Sequence, residues 1–172
     1  MISYDADVTL VQYAILGKKN NFPEIERCPA CRGLVRLNAH GYYFRNALQG
    51  KLELRVPIRR LKCPACNKTF SLLPDFLLPY FQYTLNDILG ALSRSLRGTV
   101  SAWRQRFWFY RKRFMAQLNQ VEMFFRDEGF REKLPGEYIE KAIKLLEMIL
   151  ALGEAPFVRR SRGHFVNKFM AL

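Results

Sequence analysis

The spacing of apolar residues changes character once along this chain. In residues 42–58 it is close to two. Tyr42, Tyr43 and Phe44 favour a strand, residues 46–50 (NALQG) supply a turn, and Leu52, Leu54, Val56 and Ile58 then alternate with Lys51, Glu53, Arg55 and Pro57. That pattern predicts a half-buried antiparallel hairpin, with Pro57 placing its strand at an edge. Residues 69–71 (TFS) predict one more short strand. Upstream, residues 8–16 (VTLVQYAIL) fit either a strand or a short helix.

Pro74 and Pro79 interrupt an apolar connector, and residues before proline avoid the helical region. We therefore place a domain boundary here, with a strand-rich domain at 1–79 and a helical one at 80–172. Past it the period becomes helical. Thr84 and Asp87 predict a capping box, followed by Leu85, Ile88, Leu89, Leu92 and Leu96, with Gly98 as the stop. Thr99 or Ser101 would cap a second helix. Trp103, Phe107, Tyr110, Phe114, Leu118, Val121 and Phe125 predict one continuous stripe on it, ending before Gly129. Pro135 suits the first turn of a third helix, whose buried face would be Ile139, Ala142, Ile143, Leu146, Ile149 and Leu150. Residues 159–164 (RRSRGH) predict a loose basic tail. The fold class is thus α+β.

Four cysteines change the picture. Cys28, Cys31, Cys63 and Cys66 form two CPAC pairs at the two ends of the predicted hairpin. Zinc takes four soft ligands at tetrahedral corners, and two intervening residues let one turn present two sulfurs to one ion. Gly33 and Asn67 follow the pairs, where a knuckle tends to need positive φ. A hairpin that joins two knuckles is a zinc ribbon. Disulfides are the competing reading, disfavoured in a reducing compartment. A redox CxxC would need a βαβ context that this chain lacks. Four cysteine ligands leave no open coordination position, so the expected zinc is structural and the protein is not expected to be an enzyme.

Charge narrows the class of partner. The net charge is +13 and it is clustered. Residues 27–68 hold ten Lys/Arg against Glu53 alone, and residues 88–121 hold seven with no acid, whereas residues 122–154 hold five basic and eight acidic residues. A concentrated positive field draws a polyanion, and nucleic acid, chiefly double-stranded DNA, is the expected partner. Candidate contacts are Arg45, Arg55, Arg59, Arg60 and Lys62 from the strands, and Arg104, Arg106, Arg111 and Arg113 from residues 99–114 (TVSAWRQRFWFYRKRF). In that helix the aromatic stripe reads as core. Arg104 and Arg111 share one side, and Arg106 and Arg113 another. The pattern fits a helix-turn-helix and equally a plain helical hairpin with a solvated basic face. An RNA-binding protein and a protein–protein interaction module are the alternatives. No run approaches the ~20 apolar residues of a membrane span, and the N-terminus lacks a secretory pattern, so the expected compartment is the cytoplasm. The apolar face of the third helix is expected to pack within the chain, a homodimer being the other way to cover it.

The segments CPAC, HGYYFR and RVPIRRLKCPACNKTFSLLPDFLLPY together resemble the N-terminal zinc ribbon of bacterial insertion-sequence transposases. They resemble still more the small bacterial proteins of unassigned function that share this ribbon. In the transposases a helix-turn-helix follows, often with a Val-Ser-x-x-Trp-Arg recognition helix, to which Val100-Ser101-Ala102-Trp103-Arg104 is similar. The resemblance covers residues 22–115 and implies DNA binding. The middle helix of the usual three-helix unit is short or missing between Leu96 and Thr99. The transposase catalytic half, three carboxylates on a ribonuclease-H-like sheet, has no counterpart in residues 122–172. The implied role is accessory or regulatory, or that of a mobile-element remnant.

Overall fold

The computed structural model describes residues 1–99, 104–165 and 169–170. They form an α+β protein with a four-stranded sheet and six α-helices among them. The chain divides into two compact units, 1–83 and 84–172.

The first unit holds β1 (Ile2–Tyr4), α1 (Leu10–Leu16), β2 (Asn38–Gln49), β3 (Leu52–Lys62) and β4 (Thr69–Pro74). The sheet order is β1-β4-β3-β2, with β1 parallel to β4 and the other pairs antiparallel. Residues 10–16 resolve as helix because Thr9 caps them. The Thr9 hydroxyl accepts from the Gln12 amide at 3.3 Å, and the Gln12 side chain accepts from the Thr9 amide at 2.9 Å.

The hairpin is longer than its sequence suggests. Residues 46–49 continue the strand, and the turn is only Gly50 and Lys51, since Gln49 pairs with Leu52. Gly50 has φ 60°, and the first position of a two-residue hairpin turn favours glycine for that reason. Pro57 does not mark an edge strand, because β3 lies between β4 and β2. The β4 pairing covers only residues 60–62 of β3, so at Pro57 the missing N–H breaks no ladder bond with β4. The Pro57 carbonyl accepts from the Tyr13 hydroxyl at 3.0 Å, and Tyr13 accepts from the Tyr4 hydroxyl at 3.1 Å. These bonds tie α1 and β1 to the sheet across a core that includes Leu10, Tyr13, Phe22, Val56, Ile58, Leu61 and Leu72.

The second unit holds α2 (Leu85–Leu96), α3 (Arg104–Ala116), α4 (Leu118–Asp127), α5 (Tyr138–Leu152) and α6 (Glu154–Arg160). Thr84 caps α2, and Gly98 at φ 73° follows its end. The described members of the aromatic stripe are buried, but on two helices rather than one. The break is at Gln117, whose amide bonds to the Phe114 carbonyl three residues back at 2.9 Å. Its buried side chain accepts from the Met170 amide at 2.7 Å. Helix α5 starts at Tyr138, later than Pro135, because Glu137 caps it through the Glu140 amide at 2.7 Å. Its buried face is Ala142, Leu145, Leu146 and Ile149, while Leu150 is exposed. That face is covered within the chain by α2, α4 and α6.

Residues 159–164 are not a loose tail. They complete α6 and a 3-10 turn at Ser161–His164. Phe157 inserts between Phe124 and Phe169, with ring centroids 5.2 and 5.0 Å away, and an aromatic cluster of this size holds the segment by apolar burial. His164 adds a 2.8 Å bond to Asp127.

Candidate metal centre and basic surfaces

The two CPAC pairs are built alike. In the first, the Arg32 amide donates to the Cys28 carbonyl at 2.9 Å and the Cys28 amide to the Gly33 carbonyl at 3.0 Å. In the second, the Asn67 amide donates to the Cys63 carbonyl at 3.0 Å and the Cys63 amide to the Lys68 carbonyl at 2.9 Å. Each turn closes with a left-handed residue directly after its second cysteine, Arg32 at φ 60° and Asn67 at φ 58°. The positive φ expected at Gly33 therefore falls one residue earlier. Asn67 already stood at that offset, and applying it to both pairs would have found Arg32.

The second pair ends β3 and precedes β4, and the first precedes β2, so the hairpin closes the two turns on each other. Their four sulfurs all lie within 4.8 Å of one another and can hold a metal ion. Cys28 and Cys66 Sγ are 3.7 Å apart, and Cys31 and Cys63 Sγ are 3.9 Å apart. Both separations are far beyond the ~2.05 Å of a disulfide, and all four cysteines are free. Burial pushes the Cys28 thiol up, but amides of Cys31 and Ala30 and the adjoining thiols hold it down at about 6. Cys66 moves the other way, to about 11. The Lys68 amide lowers it, and burial with hydrogen bonds to the three other cysteines outweighs that. A thiolate is the metal-binding form, and one cysteine of the cluster is poised as such.

The candidate nucleic-acid residues fall into distinct settings. Arg45 is half-buried, and its guanidinium donates to the Leu78 carbonyl at 2.9 Å. Arg55 is exposed with its guanidinium 5.4 Å from the Phe44 ring centroid, and Arg59 lies 5.3 Å from that of Phe22. Arg55, Arg60 and Lys62 have no carboxylate partner among the described residues. In the second unit, Arg113 donates to the Met170 carbonyl at 2.9 Å and packs 4.4 Å from the Phe109 centroid. Arg106 lies 5.6 Å from the Phe107 centroid. Arg111 and Lys112 border a hollow with Trp108 and Met115. Arg104 opens α3, but its side chain lies outside the described residues, as do Val100, Ser101, Ala102 and Trp103 of the recognition-helix motif. Trp108 is 63% exposed and Phe109 41% exposed.

Three acids of the acidic stretch pair with Lys/Arg inside the second unit. Glu122 pairs with Lys141 and Arg126, Glu128 with Arg160, and Glu147 with Arg97. The hydrogen bond from Lys141 holds the Glu122 carboxyl below the usual range.

No described helix is long and apolar enough to cross a membrane. Comparison with curated proteins gives no match, and no solved structure matches. Neither a transposase family nor a zinc-ribbon family is among the matches. Residues 28–105, which open at the first cysteine and run into α3, match the model of a family described as a domain of unknown function, DUF6431.

Proposed function

We propose that this protein is a non-catalytic DNA-binding protein whose first unit is a zinc ribbon with one structural zinc. The donor set supports the metal. With Zn–S bonds of about 2.3 Å, the edge of a regular tetrahedron is about 3.8 Å, and the two closest sulfur pairs, at 3.7 and 3.9 Å, bracket that value. Four thiolates close the coordination sphere, which suits a structural ion.

The observation that carries the DNA reading is the set of cations without carboxylate partners. Within 122–154, Glu122, Glu128 and Glu147 pair with Lys/Arg of the second unit, while Arg55, Arg60 and Lys62 on β3, with Arg111 and Lys112 on α3, find no carboxylate among the described residues. Such charge is left for an external polyanion. Arg45 and Arg113 are left out of this set, since each guanidinium is spent on a carbonyl of its own unit. An accessory role in the biology of a mobile element is the corresponding biological reading. The test is fluorescence anisotropy with duplex DNA, duplex RNA and a neutral protein control across a salt series. We expect affinity for DNA to fall steeply with salt, by roughly 0.9 log units per phosphate contact for each decade. Binding that is insensitive to salt would favour a protein interaction module instead.

A further inference from the structure

A groove in the first unit is lined by Phe22, Pro23, Ile25 and Leu61, with Arg36 and Arg59 also on its wall. Its charges do not cancel. Arg36 pairs with Glu24, which also lines the groove. Arg59 has no carboxylate partner among the described residues, and its buried Nε has no acceptor. The Arg59 guanidinium rests on the Phe22 ring at 5.3 Å, which fixes its plane without neutralising it. Two cations and one carboxylate leave a net charge of one positive. Leu37, Asn38 and Ala39 complete the lining.

We propose that this groove is a binding site for one phosphodiester of a DNA backbone. Arg59 would hold the phosphate, and the apolar wall of Pro23, Ile25 and Leu61 would receive the adjoining deoxyribose. The proposal rests on the DNA-binding reading and adds a site to it. The charge count favours a phosphodiester, which carries a single negative charge, over a terminal phosphate or inorganic phosphate, which carry nearly two at neutral pH. Guanidinium groups suit this role because their fork of donors matches phosphate oxygens. Glu24 sets the strength of the site by cancelling Arg36.

The experiment uses the full chain loaded with zinc, a fluorescent duplex of ~20 base pairs and a salt series. Arg59→Gln should flatten the plot of log affinity against log salt by about 0.9, the loss of one phosphate contact. Glu24→Gln should do the reverse, tightening binding and steepening the slope, because it frees the Arg36 charge. Glu24 is exposed on the surface, so this variant is expected to fold, and a gain in affinity cannot come from misfolding. Arg59→Lys covers the case in which Arg59→Gln disturbs the Phe22 packing, and should keep the salt slope. If Glu24→Gln leaves affinity and slope unchanged while the parent binds duplex strongly, the groove is overturned and the DNA reading stands. If the parent binds no duplex, the DNA reading fails with this site. Titration with inorganic phosphate, followed by the Arg59 Nε–H resonance, separates the two phosphate sources. A larger saturable shift with inorganic phosphate than with duplex would overturn the phosphodiester assignment.

Discussion

The two units solve the same problem by different means. The first, 1–83, has a sheet that is covered on part of its length, with Tyr43, Phe44 and Leu52 of the hairpin left exposed. Its cysteine cluster gathers residues 28–31 and residues 63–66 at one end of that hairpin. The second, 84–172, holds none of the four cysteines. Phe114, Phe124, Phe125, Phe157, Phe165 and Phe169 are all buried, and α2 to α6 each contribute apolar side chains to the interior. A small unit with a modest core gains most from a metal cross-link, while a unit rich in buried aromatics draws chiefly on buried area.

The largest expected effect is on the first unit. Metal binding by a four-cysteine site is folding free energy, worth roughly 10 kcal/mol or more, so chelation or Cys63→Ser should unfold the first unit. Both tryptophans, Trp103 and Trp108, lie in the second unit, so their fluorescence transition should survive. Loss of the tryptophan signal on chelation would mean that the second unit depends on the metal site. Elemental analysis should give one zinc per chain in the parent protein.

Next in size is Phe157→Ala. Phe157 is fully buried among four aromatic rings, and truncation of such a side chain costs about 3–5 kcal/mol. Chemical denaturation read at the tryptophans should show this loss, with zinc content unchanged. Metal release in this variant would mean the two units do not fold separately.

A smaller effect belongs to the Tyr4–Tyr13–Pro57 chain of bonds. Tyr13→Phe removes the donor to the Pro57 carbonyl and should destabilise the first unit by about 1–3 kcal/mol. Alkali tests the same contact. Burial first, and then the hydrogen bond to Tyr13, raise the Tyr4 hydroxyl far above its ordinary value. Burial raises Tyr13 also. Both groups are therefore neutral when folded at a pH where the unfolded chain has begun to ionise. Their stabilisation is complete below about pH 10 and is lost as the pH climbs above it. The share of tyrosinate absorbance that Tyr4→Phe or Tyr13→Phe removes should rise cooperatively with unfolding of the first unit. Gradual titration of that share at the ordinary tyrosine value would contradict the buried assignment.

The smallest effect expected is at the start of the second unit. Thr84→Ala removes the cap of α2, where the hydroxyl accepts from the Asp87 amide at 3.4 Å, and should cost about 1 kcal/mol. A thermal melt followed at the tryptophans would measure it.

Local chemistry was legible in the chain. The paired CPAC motifs located the thiol cluster because two-residue spacing is a property of one turn. The alternation of residues 52–58 located the hairpin, and Thr84 and Gly98 located the two ends of α2, because caps and periods are decided within a few residues. What needed tertiary structure was every feature set by a distant partner. The short strand β1 exists by pairing with β4, Ile2 against Leu72. The break between α3 and α4 comes with a bond from Met170 to Gln117. The basic segment at 159–164 is ordered because Phe157 and Phe165 find aromatic rings elsewhere in the unit. The same holds for charge. Sequence counted the arginines, but only packing showed that Arg45 and Arg113 serve carbonyls within the fold while Arg59 keeps an unneutralised charge. A guanidinium has the same composition in each setting, and its role is fixed by which acceptors the fold brings within ~3 Å.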